Sequence, residues 1–321
     1  MSSPSRATPP ALLVLCPMQA EYLSRIQAAY DVVYAPTDAL RAEAVAQDAR
    51  DGGRVRAVLT IGTIGLTGAE IAALPALSLV CAFGVGYELI DVAAARARGI
   101  ALANGAGTNA DVVADHAFGL LIAAVRGIVP LDRGCRDGLW RDELPSYTPT
   151  VSGKRLGLLG LGEIGRKIAR RASGFDMPVG YHSRTPKADV PHTYFESVVE
   201  LAHWCDFLIV ATPGGAETRH LVNAEVLDAL GPQGTLVNIA RGSVVDTEAL
   251  AAALRDGRLG AAGLDVYESE PKRPEPLIGL RNVVLTPHIA GRSPEAMQAC
   301  VTRFLANAGA HFAGEPMPSP I

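Results

Sequence analysis

Arg155-Leu156-Gly157-Leu158-Leu159-Gly160-Leu161-Gly162-Glu163-Ile164-Gly165 is the stretch that decides the fold. Its first five residues form a short apolar run of strand length, and G-x-G-x-x-G follows without a gap. Ile164–Ala172 then continues with helical character. In a strand–loop–helix unit each glycine has a separate task. Gly160 permits the tight turn, Gly162 lets the backbone approach a pyrophosphate, and Gly165 lets helix and strand pack closely. The helix N-terminus offers unbonded N–H groups and partial positive charge to phosphates. The loop of Gly160, Leu161, Gly162, Glu163, Ile164 and Gly165 is therefore predicted to bind a dinucleotide.

Outward from the loop, the same rhythm continues downstream. Arg155–Leu159, Pro178–His182, Phe207–Ala211, Thr235–Ile239, Ala261–Leu264 and Val283–Leu285 read as strands, with helical segments between most of them. Upstream, Ala11–Leu15, Val55–Ile61 and Leu77–Ala82 are short apolar runs, and Gln19–Tyr30 is amphipathic. Such runs suit parallel strands covered on both faces. Asn109–Arg126 reads as a long apolar helix that Thr108 or Asn109 could cap. The expected fold is α/β: two doubly wound parallel-sheet domains, Rossmann-like and flavodoxin-like, with a ligand cleft between them. The last helix, Pro294–Phe312, has no sheet of its own and is expected to return to the first domain. That gives residues 1–107 with 292–321 as a substrate domain, and 108–291 as the dinucleotide domain.

Composition narrows the function class. Of 321 residues 49% are hydrophobic and the formal net charge is −4, so a packed core is within reach and no basic patch for nucleic acid or an anionic membrane is indicated. The five cysteines, Cys16, Cys81, Cys135, Cys205 and Cys300, are widely spaced without a C-x-x-C, which reads as free thiols, buried or half-buried, rather than disulfides or a metal site. Met1–Pro10 reads as a short polar lead, and no apolar run approaches the ~20 residues of a membrane span. A cytoplasmic protein with no metal, no membrane and no nucleic-acid partner is expected.

The strand after the glycine loop bears on which dinucleotide binds. NAD sites usually carry an acid about 20 residues on, for the ribose 2′-OH. Here the strand ends in Ser183-Arg184-Thr185, with no acid nearby. An arginine and two hydroxyls suit a 2′-phosphate, so NADP(H) is expected to be preferred, with NAD(H) weaker.

Three further segments place polar groups just past strand ends: Asn238-Ile239-Ala240-Arg241-Gly242, Gly263-Leu264-Asp265-Val266-Tyr267-Glu268-Ser269-Glu270, and Thr286-Pro287-His288. Ligands of open α/β sheets bind at the carboxyl ends of strands, so all three would face one crevice. Arginine, carboxylate and histidine are what reduction of a 2-oxo acid requires. The arginine holds the substrate carboxylate and polarises the carbonyl, the histidine supplies a proton, and an acid behind it orients the ring. Either Glu270 or Glu268 can fill the last place. His116 beside Asp115 invites a dyad reading, but its mostly apolar helix favours a packed side chain.

These segments, with Phe83-Gly84-Val85-Gly86-Tyr87 and Ala211-Thr212-Pro213, resemble the D-isomer-specific 2-hydroxyacid dehydrogenase family from about Val80 to Gly291. The resemblance implies Arg241, Glu270 and His288 as catalytic residues. It implies Asp265 on the nicotinamide carboxamide side with Ile239 and Ala240 beside it, and Thr108, Ala211, Pro213 and Gly291 near the cofactor. Val85 and Gly86 would offer N–H groups to the substrate carboxylate. Within the family the chain looks most like the glyoxylate/hydroxypyruvate and hydroxyphenylpyruvate reductases. Formate dehydrogenases carry glutamine where this chain has Glu270, and no regulatory extension of the phosphoglycerate dehydrogenase kind follows the last helix. In related reductases a tryptophan near the place of Trp140 reaches into a neighbouring subunit's active site; packing is the other reading. The apolar Asp111–Val125 helix fits the family's homodimer interface. The expected reaction is NADPH-dependent reduction of glyoxylate or hydroxypyruvate. Bulkier aryl-pyruvates and a non-catalytic dinucleotide-sensing scaffold are the alternatives.

Overall fold

The computed structural model describes residues 9–144 and 148–321. Most of the expected N-terminal lead, up to Thr8, lies outside the described residues. The chain divides into two compact units. One holds the residues up to Asn109 together with Arg292–Ile321, and the other is Ala110–Gly291.

The first unit carries strands β1 (Ala11–Val14), β2 (Asp31–Tyr34), β3 (Val55–Thr60), β4 (Leu79–Ala82) and β5 (Ala101–Ala103), all parallel, in the order β2-β1-β3-β4-β5. That is the flavodoxin-like order. Alternation along β1 and the residue after it explains the unbroken apolar run: Leu13 and Leu15 pack with Val58 and Val80 on one side of the sheet. Leu12 and Val14 pack on the other with Tyr22, Ile26, Val301 and Phe304. The last two come from the C-terminal helix Pro294–Ala313. Ser293 starts that helix by accepting a hydrogen bond from Ala296 N, with Pro294 in its first turn. Burying each large side chain of this kind stabilises by about 1.5–3 kcal/mol.

The second unit carries β6 (Leu156–Leu159), β7 (Val179–His182), β8 (Thr193–Tyr194), β9 (Phe207–Val210), β10 (Thr235–Asn238), β11 (Ala261–Leu264) and β12 (Val283–Leu285). The order is β12-β11-β10-β9-β6-β7-β8, again all parallel. Counting from β6, this is the dinucleotide-fold order with one strand added, and its switch point lies between β6 and β9.

Three strands escaped the sequence reading. Asp31–Tyr34 is a half-exposed edge strand, and Ala101–Ala103 and Thr193–Tyr194 have three and two residues. None carries a run long or apolar enough to stand out. The Asn109–Arg126 reading is Ala110–Val125 in the structure. Neither expected cap operates: Asn109 Oδ1 is buried without a hydrogen-bond partner among the described residues, and the Thr108 hydroxyl turns back to Gly105 O at 2.7 Å.

The apolar content of this helix is turned inward. Val113, Ala114, Ala117, Leu120, Leu121 and Val125 belong to the core of the second unit. A Cβ at Gly263 would stand 2.9 Å from Leu120 Cβ, so glycine on β11 is what lets the helix lie this close. Among the exposed large apolar residues of this unit are Ile128, Val129, Leu139 and Trp140. Among the cysteines, Cys16, Cys81, Cys205 and Cys300 are buried, and Cys135, against expectation, is exposed. Burial pushes the thiols of Cys16, Cys81 and Cys205 up to about 12. Among the described residues no single helix is long and apolar enough to cross a membrane.

Candidate active site

The glycine loop follows β6 directly. Gly160 has φ +100°, and a Cβ there would meet Ala211 O at 2.8 Å, so the turn runs against the end of β9 and excludes a side chain. A Cβ at Gly165 would stand 2.4 Å from Gly160 O, which is the close helix–strand approach expected of the third glycine. Gly162 has nothing within 4 Å of its Cβ position. It precedes the helix Glu163–Ala172, which has no side-chain cap. Open space on one side and uncapped N–H groups on the other form a donor set that fits a pyrophosphate. Leu161 sends its side chain into the core, Ile164 is half-buried, and Glu163 is exposed.

Strand β7 ends at His182, whose carbonyl accepts from Gly160 N at 2.9 Å. Ser183, Arg184 and Thr185 follow. The Ser183 hydroxyl donates to Thr185 O at 2.8 Å, and the Arg184 side chain is 90% exposed, 3.9 Å from the exposed Glu217. Such an exposed contact holds little energy and leaves the guanidinium able to turn to a ligand.

The strand-end groups converge within the second unit. Asn238 closes β10 by donating from Nδ2 to Arg241 O at 3.0 Å while its Oδ1 accepts from Ala240 N at 3.0 Å. Ile239 and Ala240 are buried. A Cβ at Gly214 would stand 2.8 Å from Arg241 Cγ, so the turn after Ala211 and Pro213 packs on the stem of Arg241.

His288 Nδ1 lies 2.7 Å from Glu270 Oε2, and Glu270 Oε1 accepts from Tyr267 N at 2.8 Å. Burial raises the Glu270 carboxyl, but hydrogen bonds from His288 and Tyr267 N and the charges of His288 and Arg241 outweigh it, leaving the group below its ordinary range. Of the two acids, Glu270 is the one that meets His288. Glu268 turns away, with Oε1 2.7 Å from His220 Nε2 and Oε2 accepting from Thr247 N at 3.0 Å.

His288 stands at φ +54°, a region that costs a non-glycine residue about 1–3 kcal/mol. Its surroundings hold it there. His288 N donates to Asp265 O at 2.7 Å and Thr286 O at 3.1 Å. The buried Asp265 carboxylate accepts from Ile289 N at 3.0 Å, Ala290 N at 2.8 Å and the Thr286 hydroxyl at 2.6 Å. The Tyr267 hydroxyl donates to Thr286 O at 2.7 Å. Asp265 thus clamps the backbone that carries His288. Gly291, half-buried, ends this loop.

His116 has another partner than the sequence offered. Asp115 pairs with Arg171 at 2.6 Å, and His116 Nε2 lies 2.9 Å from Thr286 Oγ1. Thr286 and Tyr267, which join this hydrogen-bond network, were not singled out in the sequence although both stand in the strand-end segments, and His116 was read there as a packed side chain.

Val85, Gly86 and Thr108 lie in the first unit. Val85 and Gly86 follow β4, Val85 O accepts from Asn104 Nδ2 at 2.8 Å, and neither N–H donates a bond among the described residues. Two such N–H groups suit a carboxylate. Besides its bond to Gly105 O, the Thr108 hydroxyl meets Cys300 Sγ at 3.0 Å. Trp140 is 72% exposed, so it does not pack in its own core.

Residues 118–290 match the family model of the D-isomer specific 2-hydroxyacid dehydrogenase, NAD binding domain. The chain is 40% identical to a hydroxyphenylpyruvate reductase of Plectranthus scutellarioides, over 97% of this chain and 98% of the relative. It is 42% identical to a glyoxylate/hydroxypyruvate reductase of Arabidopsis thaliana, over 83% and 85%. Among solved structures, the NADPH-dependent glyoxylate/hydroxypyruvate reductase of Sinorhizobium meliloti, in complex with NADP and malonate, is 37% identical with a TM-score of 0.88, covering 98% of this chain and 97% of that one. A parallel dinucleotide fold, a strand-end histidine–glutamate pair beside an arginine, and these likenesses agree: the chain belongs to the D-isomer specific 2-hydroxyacid dehydrogenase family.

Proposed function

We propose that the protein reduces small 2-oxo acids, glyoxylate and hydroxypyruvate among them, to D-2-hydroxy acids with NADPH. The observation that carries this reading is the 2.7 Å contact between His288 Nδ1 and Glu270, whose carboxyl is held below its ordinary range with Arg241 nearby. An ionised Glu270 accepts a hydrogen bond from the Nδ1–H of the protonated ring and leaves Nε2–H as the donor. A bound nicotinamide cofactor supplies the hydride to the substrate C2. As charge develops on the carbonyl oxygen, Nε2 of His288 gives up its proton to it and Arg241 stabilises the oxygen. His288 is left neutral and regains its proton from solvent. Val85 and Gly86 hold the substrate carboxylate, and Thr108, Ala211, Pro213, Ile239, Ala240, Asp265 and Gly291 shape the cofactor site. The second unit, Ala110–Gly291, is the cofactor domain in this reading, and the first unit receives the substrate.

The preference for NADPH rests on Ser183-Arg184-Thr185, where an exposed guanidinium and two hydroxyls stand without an acid among them. The Sinorhizobium relative is NADPH-dependent. Arg184→Ala should raise the KM for NADPH about tenfold while leaving that for NADH nearly unchanged. A homodimer would cover Ile128, Val129, Leu139 and Trp140, which are 37–72% exposed.

The test is a panel of glyoxylate, hydroxypyruvate and hydroxyphenylpyruvate with both cofactors. NADPH consumption with the two small acids is expected. A clear preference for the aryl acid would move the substrate towards that of the Plectranthus relative. No consumption with any acid would favour a dinucleotide-sensing scaffold.

A further inference from the structure

His116 projects from the helix Ala110–Val125, 170 residues before its partner Thr286. The hydrogen bonds fix which atom donates. The Thr286 hydroxyl has one proton, and it goes to Asp265 Oδ1 at 2.6 Å. In the 2.9 Å contact with His116 the hydroxyl oxygen must therefore accept, and Nε2 of the ring must carry the hydrogen. The same Nε2 lies 3.6 Å from Asp265 Oδ1, so the ring's polar edge faces the carboxylate as well.

A continuous chain results. His116 donates to Thr286, Thr286 donates to Asp265, and Asp265 accepts the N–H groups of Ile289 and Ala290, the two residues after His288. His288 N closes the figure on Asp265 O and Thr286 O. The backbone so clamped is the one held at φ +54°. A strained residue keeps its conformation only where its surroundings over-determine it. Without the His116 bond the Thr286 hydroxyl is free to rotate, and one side of the clamp loosens.

We propose that His116 is a positioning residue for His288, acting through Thr286 and Asp265 to hold the imidazole where it delivers its proton. This rests on the reading of His288 as the proton donor. His116 touches none of the reacting atoms in this account. It ties a rigid helix packed on the sheet to a strained loop at the sheet's end, where a displacement of about 1 Å can cost on the order of 10²-fold in rate.

The test uses His116→Leu, which keeps an apolar shape without a donor, and His116→Gln, whose amide N–H can reach Thr286. With NADPH and the best 2-oxo acid of the panel, H116L should lose about tenfold or more in kcat with the KM for NADPH within about twofold. Its solvent deuterium isotope effect on kcat should grow, because proton delivery becomes slower. H116Q should recover most of both. Thr286→Val should resemble H116L, Thr286→Ser should resemble the wild type, and the H116L/T286V pair should be no worse than the poorer single variant. The threonine variants carry the test if H116L does not fold. A wild-type kcat and isotope effect in H116L, no gain in H116Q, or additive losses in the double variant would each overturn the proposal. The imidazole NMR signals of His288 give a readout that needs no turnover: they should move in H116L and return in H116Q, and unmoved signals refute the clamp. Turnover retained in His288→Gln would instead refute the donor role of His288 itself. H288Q inactive beside a normal H116L would overturn the His116 proposal alone.

Discussion

The second unit contains two histidine–glutamate pairs that share one loop. His288 meets Glu270 at 2.7 Å and His220 meets Glu268 at 2.7 Å. Both histidines have positive φ, +54° and +51°, and the two acids are two residues apart. Distance and strain do not separate them. Their surroundings do. Glu268 is taken up by structural groups: its second oxygen accepts from Thr247 N, Arg219 approaches at 3.7 Å, and Asp246 lies 3.8 Å from the other nitrogen of His220. Both nitrogens of His220 thus face acids. Glu270 faces only one nitrogen of His288 and feels the charge of Arg241. One pair ties a loop down; in the other, the second nitrogen of His288 has no acid against it among the described residues.

The largest effect should come from the histidines themselves. His288→Gln should lower kcat by about 10²–10⁴-fold, the usual worth of a general acid, with NADPH binding retained. His220→Gln should stay within a few-fold of the wild type. Similar losses in both would erase the distinction drawn here.

The acids should differ in the same sense, less steeply. Glu270→Gln should cost about 10–10²-fold in kcat, because an amide neither orients the ring as an acceptor with full charge nor stabilises its protonated form. Glu268→Gln should act on stability instead, by about 1 kcal/mol, since both partners of that pair are partly exposed. Thermal unfolding beside steady-state kinetics separates the two outcomes.

The smallest effect is one in which the pairs should agree. Hydrogen bonds hold both carboxyls below their ordinary value of 4.5 in spite of burial. A depressed folded pKa contributes stability that is fully present above the unfolded value and is lost as pH falls through the folded one. The melting temperature should therefore decline below about pH 4.5, and E270Q and E268Q should each flatten that acid limb. A flattening in only one variant would mean that the other acid is not held by its histidine.

How far the sequence reached depends on where each signal sits. The glycine loop was readable because its three glycines, apolar strand and helix are contiguous; the structure gives Gly160 and Gly165 a steric reason and leaves open space beside Gly162. The buried strands were readable because both faces are covered, so their residues run apolar without a break. Asp31–Tyr34 and Thr193–Tyr194, at sheet edges, lack that run. His288 and Glu270 were reached through residue chemistry and family resemblance; their spacing alone left Glu268 in competition, and only the fold shows that Glu270 meets His288 while Glu268 meets Thr247 and His220. The part played by His116 could not be read at all. Its neighbour Asp115 suggested a dyad, whereas its real partner is distant in sequence and is set only by how the helix lies on β11 and β12. The apolar face of that helix was open in the same way, because composition does not say whether a helix buries itself in its own sheet or against a second chain.

The most direct test of the central claim is a stoichiometric reduction of hydroxypyruvate by the wild-type protein, with NADPH followed optically and the product resolved by chiral chromatography. One D-glycerate formed for each NADPH consumed is the predicted result. NADPH left unconsumed, or L-glycerate as the product, would contradict the account.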